Sequence, residues 1–353
     1  MLQRFAGGEE NSKRKSQEGV LMNELEFALP IRRTLRLALA CIFILHGFAA
    51  SLAFAAQATT EFHRTEDIIY GRKAGMALTF DVFQPTASNG YGIVFVVDGA
   101  WFSAHDPTPN MPSVQPDAYV SLLRHGYTVF AVVLSSQPAF SIPDIIPDLH
   151  RAVRFIRYNA VKYGVNPEHL GIVGISAGGQ LSLMIATQGA NGKADAKDPV
   201  DRENSSVQAV VCFFPPTDFL NWGAPGVDGV GLASMAPLRD AFGPRANTEE
   251  NRQILGHEIS PIYFVTSHLP PTLIIHGDAD KLVPIQQSKI FVERAQQVGA
   301  PLIHLVVQKG KGHGWQGFWD SKEDTELYIN WFDRNLRGIE NHDDVQGKDG
   351  FAP

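Results

Sequence analysis

From residue 66 onward the chain switches repeatedly between two hydrophobic periods. Short runs rich in β-branched and aromatic residues fall at 66–71, 78–83, 92–98, 128–134, 170–175, 207–214, 271–276 and 302–307. Several are continuously apolar, such as Ile93-Val94-Phe95-Val96-Val97, which is the pattern of strands buried on both faces. Between them, apolar positions recur at helical spacing. The segment 148–163 places Leu149, Ala152, Val153, Phe155, Ile156 and Ala160 on one face, and Val165-Asn166-Pro167 stops it. The segment 321–336 does the same with Leu327, Ile329, Trp331 and Phe332. Strands alternating with helices predict an α/β fold, a mostly parallel eight-stranded sheet flanked by helices. The first two runs are parted only by a Gly-containing turn, so they predict an antiparallel hairpin at the sheet edge. Two stretches break the rhythm, a Pro-rich loop at 98–117 and a Gly- and Pro-rich insertion at about 215–260. Irregular segments of that length suit the walls or lid of a site.

The ends of the chain follow other rules. Residues 1–30 are polar and patternless, and Arg32, Arg33 and Arg36 then lead into a run at 37–56 with no charged residue. With its small-residue end Ala53-Phe54-Ala55, this prefix reads as a signal peptide, which predicts a secreted or periplasmic protein. The alternative is an uncleaved membrane anchor, since the run is long enough to span. The expected organisation is therefore a leader at 1–55, a catalytic domain at 56–337 and a frayed tail at 338–353. An apolar content of 44% over 353 residues supports a sizeable core, and a net charge of -7 argues against nucleic acid as a partner. Cys41 and Cys212 are the only cysteines and make no disulfide framework. No metal-binding pattern follows from the sequence.

Chemistry concentrates at three strand ends. Gly174-Ile175-Ser176-Ala177-Gly178-Gly179 lies between the fifth run and a helix expected to begin near Gly179. A G-x-S-x-G turn in that context is a nucleophile elbow. Its glycines permit the sharp turn, and the helix N-terminus offers N–H groups to a developing negative charge. His276-Gly277-Asp278-Ala279-Asp280 follows the seventh run, and either Asp278 or Asp280 could orient a histidine. Gly310-Lys311-Gly312-His313-Gly314-Trp315 follows the eighth and holds His313 between glycines. The chain order Ser, Asp, His is that of an α/β-hydrolase relay, and a serine hydroxyl needs such a base to become a competent nucleophile.

On these motifs the sequence resembles the α/β-hydrolase superfamily, in its esterase/lipase group related to hormone-sensitive lipase and to feruloyl- and acetylxylan-type carboxylesterases. The resemblance runs from about 78 to 336, and also rests on Phe214-Pro215-Pro216-Thr217-Asp218, Ser260-Pro261 and the H-G-x-x-D-x-x-V-P pattern from His276 to Pro284. It implies Ser176 as nucleophile, His313 as base and Asp280, rather than Asp278, as the orienting acid. It also implies an oxyanion hole from the backbone N–H groups of Gly99, Ala100 and Ala177. Such esterases carry His-Gly-Gly-x-Trp after the third strand; here the stretch reads Val97-Asp98-Gly99-Ala100-Trp101. Asp98 is therefore expected to turn away from the oxyanion or to bind neighbouring backbone. Trp101 and Trp315 are candidate substrate contacts, with core packing as the alternative. The expectation is a cofactor-independent serine carboxylesterase acting on small or polysaccharide-linked esters. A prolyl-oligopeptidase-like peptidase and a non-catalytic binding protein on the same scaffold remain alternatives.

Overall fold

The computed structural model describes residues 61–105 and 119–339. The leader at 1–55, most of the Pro-rich loop and the tail beyond 339 lie outside the described residues.

Eight strands form one sheet in the order β1-β2-β4-β3-β5-β6-β7-β8. They are β1 (Phe62–Lys73), β2 (Met76–Pro85), β3 (Gly92–Val97), β4 (Thr128–Val133), β5 (Leu170–Ile175), β6 (Ala209–Phe213), β7 (Thr272–Gly277) and β8 (Ile303–Gln308). The β1–β2 hairpin is antiparallel at the edge, β2 meets β4 antiparallel, and all pairs from β4 to β8 are parallel. Every residue of β3 and β5 is buried, as their unbroken apolar sequences require.

Alternation along the strands divides the core between two faces. On one, Val94, Val96, Phe130, Val132, Ile172, Val210, Cys212 and Ile274 are buried together with residues of α2 (Ile142–Tyr158), α3 (Ala177–Gln188) and α6 (Gln286–Gln297). On the other, Ile93, Phe95, Val97, Val129, Val173, Val211, Phe213 and Ile275 are buried with residues of α1 (Val120–Arg124) and α7 (Lys322–Arg337). The short α4 (Arg239–Phe242) and α5 (Glu249–Ile259) lie in the insertion.

Two elements depart from expectation. Helix α2 starts six residues before 148, because Ser141 N–H donates to the Asp144 carboxylate at 3.0 Å and Pro143 falls in the first turn, where no N–H is needed. A short 3-10 turn, Ala160–Tyr163, completes the segment. The insertion is more regular than its composition implies: Thr248 caps α5 by accepting the Asn251 N–H, and Glu249 and Glu250 sit in the first turn. Its two ends are tied together, with Phe219 N–H donating to Ser260 Oγ at 2.8 Å and Ile262 N–H to Thr217 O at 3.2 Å.

Candidate active site

The three motif loops meet at the carboxyl ends of β5, β7 and β8. Ser176 sits between β5 and α3 at φ 55°, ψ −117°, a strained conformation for a residue with a side chain. Gly174 makes the turn possible: a Cβ there would lie 2.1 Å from Gly178 O, so only glycine fits. Ser176 Oγ is 2.9 Å from His313 Nε2, and His313 Nδ1 is 2.7 Å from Asp280 Oδ2. That row is the geometry in which imidazole removes the hydroxyl proton while the carboxylate fixes its tautomer.

Asp280 is well held. Its Oδ1 accepts the N–H groups of Leu282 and Val283 at 2.8 and 2.9 Å. Burial alone would favour the neutral acid, yet the bonds from His276 and His313 prevail and hold the carboxyl well below the usual carboxylate range. His276 was legible as the start of a motif, but not in this role. It is fully buried, with Nε2 at 2.9 Å from Val283 O and 3.3 Å from Asp280 Oδ2, and Nδ1 at 2.6 Å from Ser288 Oγ. Asp278 does a different job: its Oδ1 accepts Gly310 N–H at 2.5 Å and pins the loop that carries His313. The loops are further laced by Asp278 N–H to Gln308 O at 3.1 Å and Ala279 N–H to Lys311 O at 2.9 Å.

Ala100 and Ala177 line the same cavity as Ser176, and the backbone N–H of neither has an acceptor among the described residues. Gly99 does not join them. Its N–H donates to Phe102 O at 3.0 Å, closing a small bridge within the loop, so the expected trio of donors reduces to a pair. Asp98 binds backbone as expected, accepting Trp101 N–H at 3.1 Å.

A small cavity adjoins Ser176, about 30 Å³ in volume, walled by Ala100, Trp101, Trp222, Met235, Leu238 and Leu282 among others. Trp101 is thus a pocket wall, buried and fixed by its Nε1–H bond to Gln180 Oε1 at 3.0 Å. Trp315 is not: its ring is buried against Phe214 and Phe318, so the core-packing alternative holds there. Phe214, marked in the sequence only as part of its Pro-rich motif, packs against His313, with its ring centroid 4.5 Å from that of the imidazole. The Asp67, Asp81 and His105 side chains cluster elsewhere, on β1, β2 and the loop after β3, but Asp81 already pairs with Arg64 at 2.6 Å. That carboxylate is neutralised by a guanidinium and lies outside the Ser-His-Asp row.

Comparison with known proteins agrees with this architecture. The BD-FAE family profile matches residues 80–295. Esterase LipC of Mycobacterium tuberculosis (strain ATCC 25618 / H37Rv) is 26% identical over 224 residues, covering 63% of this chain and 52% of LipC. Esterase LipQ of the same strain is 28% identical over 252 residues, covering 68% of this chain and 54% of LipQ. The chain thus spans about half the length of these curated relatives. Among solved structures, a truncated form of carbohydrate esterase from gut microbiota superposes with a TM-score of 0.64 at 25% identity, covering 80% of this chain and 99% of that one.

Proposed function

We propose, from the premise that this chain belongs to the BD-FAE family, that it is a serine carboxylic ester hydrolase working through an acyl-enzyme. The observation that carries the proposal is the continuous row Ser176 Oγ, His313 Nε2, His313 Nδ1, Asp280 Oδ2, at 2.9 and 2.7 Å, beside two backbone donors without acceptors among the described residues. Ser176 attacks the ester carbonyl as His313 takes its proton. Asp280 stabilises the imidazolium, and the N–H groups of Ala100 and Ala177 receive the oxyanion. His313 then protonates the leaving alkoxide, and water hydrolyses the acyl-enzyme by the same steps in reverse. This chemistry draws on no cofactor.

The substrate class follows from a weaker set of supports. The prefix reads as an export signal, and a similar structure is named a carbohydrate esterase. Both favour an ester carried on extracellular polysaccharide, and the small cavity favours acetyl over feruloyl as its acyl group. Purified protein with and without Ser176→Ala tests both levels. The wild type is expected to hydrolyse p-nitrophenyl acetate and to release acetate from acetylated xylan, with the variant inactive on each. Equal rates from the two proteins would overturn the serine mechanism. Activity on the chromogenic ester alone, with no acetate from xylan, would overturn the polysaccharide assignment.

A further inference from the structure

The row described above makes no use of Asp98, yet this residue opens the turn that presents Ala100. Its side chain is 0% exposed. Oδ1 accepts Trp101 N–H at 3.1 Å, whereas Oδ2 has no partner among the described residues. Its backbone is equally confined, with Asp98 N–H donating to Val96 O at 2.9 Å and its carbonyl packed against Gly178 at the start of α3.

The turn itself is strained. Ala100 and Trp101 lie at φ 55° and 57°, in the left-handed region that side chains disfavour. Such conformations persist only where the surroundings over-determine them, and here the ties are few enough to name. Gly99 and Phe102 exchange backbone bonds at 3.0 and 2.9 Å. Gln137 reaches in from beyond β4, its Nε2–H donating to Ala100 O at 2.5 Å and its N–H to Trp101 O at 3.0 Å. Two further ties hold Trp101, its Nε1–H bond to Gln180 Oε1 at 3.0 Å and the Asp98 carboxyl on its backbone N–H.

An ionised carboxylate in that position would be a buried charge met by one neutral donor. It would also be a negative charge in the loop that must welcome a second one. Among the described residues no cation is paired with it, and burial pushes its pKa well above the ordinary carboxylate range. We propose that Asp98 is an un-ionised positioning acid: its carboxyl fastens the strained turn that aims Ala100 N–H at the oxyanion, without adding charge against it. This role rests on the esterase reading above, but the charge state of Asp98 can be read without any substrate.

The test compares Asp98→Asn with Asp98→Ala in the full chain. An asparagine carbonyl can accept the same Trp101 N–H and is neutral by construction. The Asn variant is expected to keep most of the wild-type kcat, while the Ala variant loses kcat by about 10²–10³, the worth of one oxyanion donor, with KM little changed. Independently, the infrared difference spectrum of wild type minus Asp98→Asn, taken at mildly alkaline pH, should contain a protonated-carboxyl stretching band. An ionised-carboxylate band in its place, or an Asn variant as impaired as the Ala variant, would overturn the proposal. Should Asp98→Ala not fold, the infrared band and the Asn kinetics still decide. Should the wild type hydrolyse no ester, the esterase reading falls while the band still reports on Asp98.

Discussion

Replacing Leu238 by alanine should change which acyl chain the protein prefers. The cavity beside Ser176 holds about 30 Å³, room for the methyl of an acetyl group and little more. In the proposed mechanism the acyl group attached to Ser176 enters this cavity, which Ser176, Ala100 and Ala177 help to line. Two further methylenes in an open apolar pocket would gain about 0.8 kcal/mol each. Forced into a filled one, they cost about 1–3 kcal/mol in displaced side chains. The wild type should therefore favour p-nitrophenyl acetate over butyrate in kcat/KM by about 5- to 150-fold, the factor that this packing cost implies. Leu238 is a half-buried wall residue on the insertion, and its truncation removes three carbons from the cavity lining. The Leu238→Ala protein should shift the acetate-to-butyrate ratio toward butyrate by about tenfold or more, with acetate hydrolysis little altered. The assay is kcat/KM across the acetate, propionate, butyrate and hexanoate esters for both proteins. A wild type that prefers butyrate, or a ratio that Leu238→Ala leaves unchanged, would refute the packing argument.

Other consequences can be checked more briefly. In Gly277→Ala the new Cβ would lie 2.2 Å from Lys311 O, backbone that cannot yield; the acid and histidine loops must part. Activity should fall by about 10² or more, the usual effect of misplacing a catalytic group by an ångström, with a lowered Tm by calorimetry, and wild-type kinetics in this variant would contradict it. His150, on α2 with its Nδ1 2.9 Å from Ser205 Oγ, has its pKa lowered from 6.5 to about 4, by burial first and by Arg154 second. Protonation therefore favours the unfolded chain, so urea midpoints should fall from pH 6.5 toward pH 4, by up to about 3 kcal/mol of stability, and His150→Gln should flatten that slope. Cys212 is fully buried, and burial pushes its thiol well up; it should resist a thiol reagent such as dithionitrobenzoate until the protein unfolds, and prompt labelling of native protein would show the core to be open there.

The sheet was legible because its central strands announce themselves. Runs such as Ile93 to Val97 are apolar at every position, and only a strand buried on both faces asks for that in so few residues. The start of α2 was hidden by Pro143 and Pro147, which argue against helix until the capping interaction at Ser141 is seen. The lining of the site was legible only where a residue's role depends on its own loop. Ser176 and His313 fall in that class, since each is marked by glycines that its turn requires. Gly99 does not: whether its N–H is free depends on Phe102, and nothing in the spacing reveals that the two pair across a left-handed Ala100-Trp101 turn. Trp101 and Trp315 look alike in sequence, each following a catalytic loop, yet one walls the pocket and the other fills the core.

Asp278 and Asp280 show the same division most sharply. They are two residues apart on one loop, and residue chemistry alone leaves either free to orient His313. The structure gives both a partner in the histidine loop. Asp280 reaches the imidazole at 2.7 Å, and Asp278 reaches the Gly310 N–H at 2.5 Å. One carboxylate sets the tautomer of the base, and the other sets where the base stands. The second role needs no particular pKa and leaves no motif, because any acceptor at that point in space would serve. Removing Asp278 should accordingly loosen His313 without changing the chemistry at its ring: Asp278→Asn, which keeps an acceptor, should retain kcat, and Asp278→Ala should lower it by up to about 10² through misplacement. Equal losses from the two variants would mean that the charge of Asp278, and not its bond to Gly310, is what the site requires.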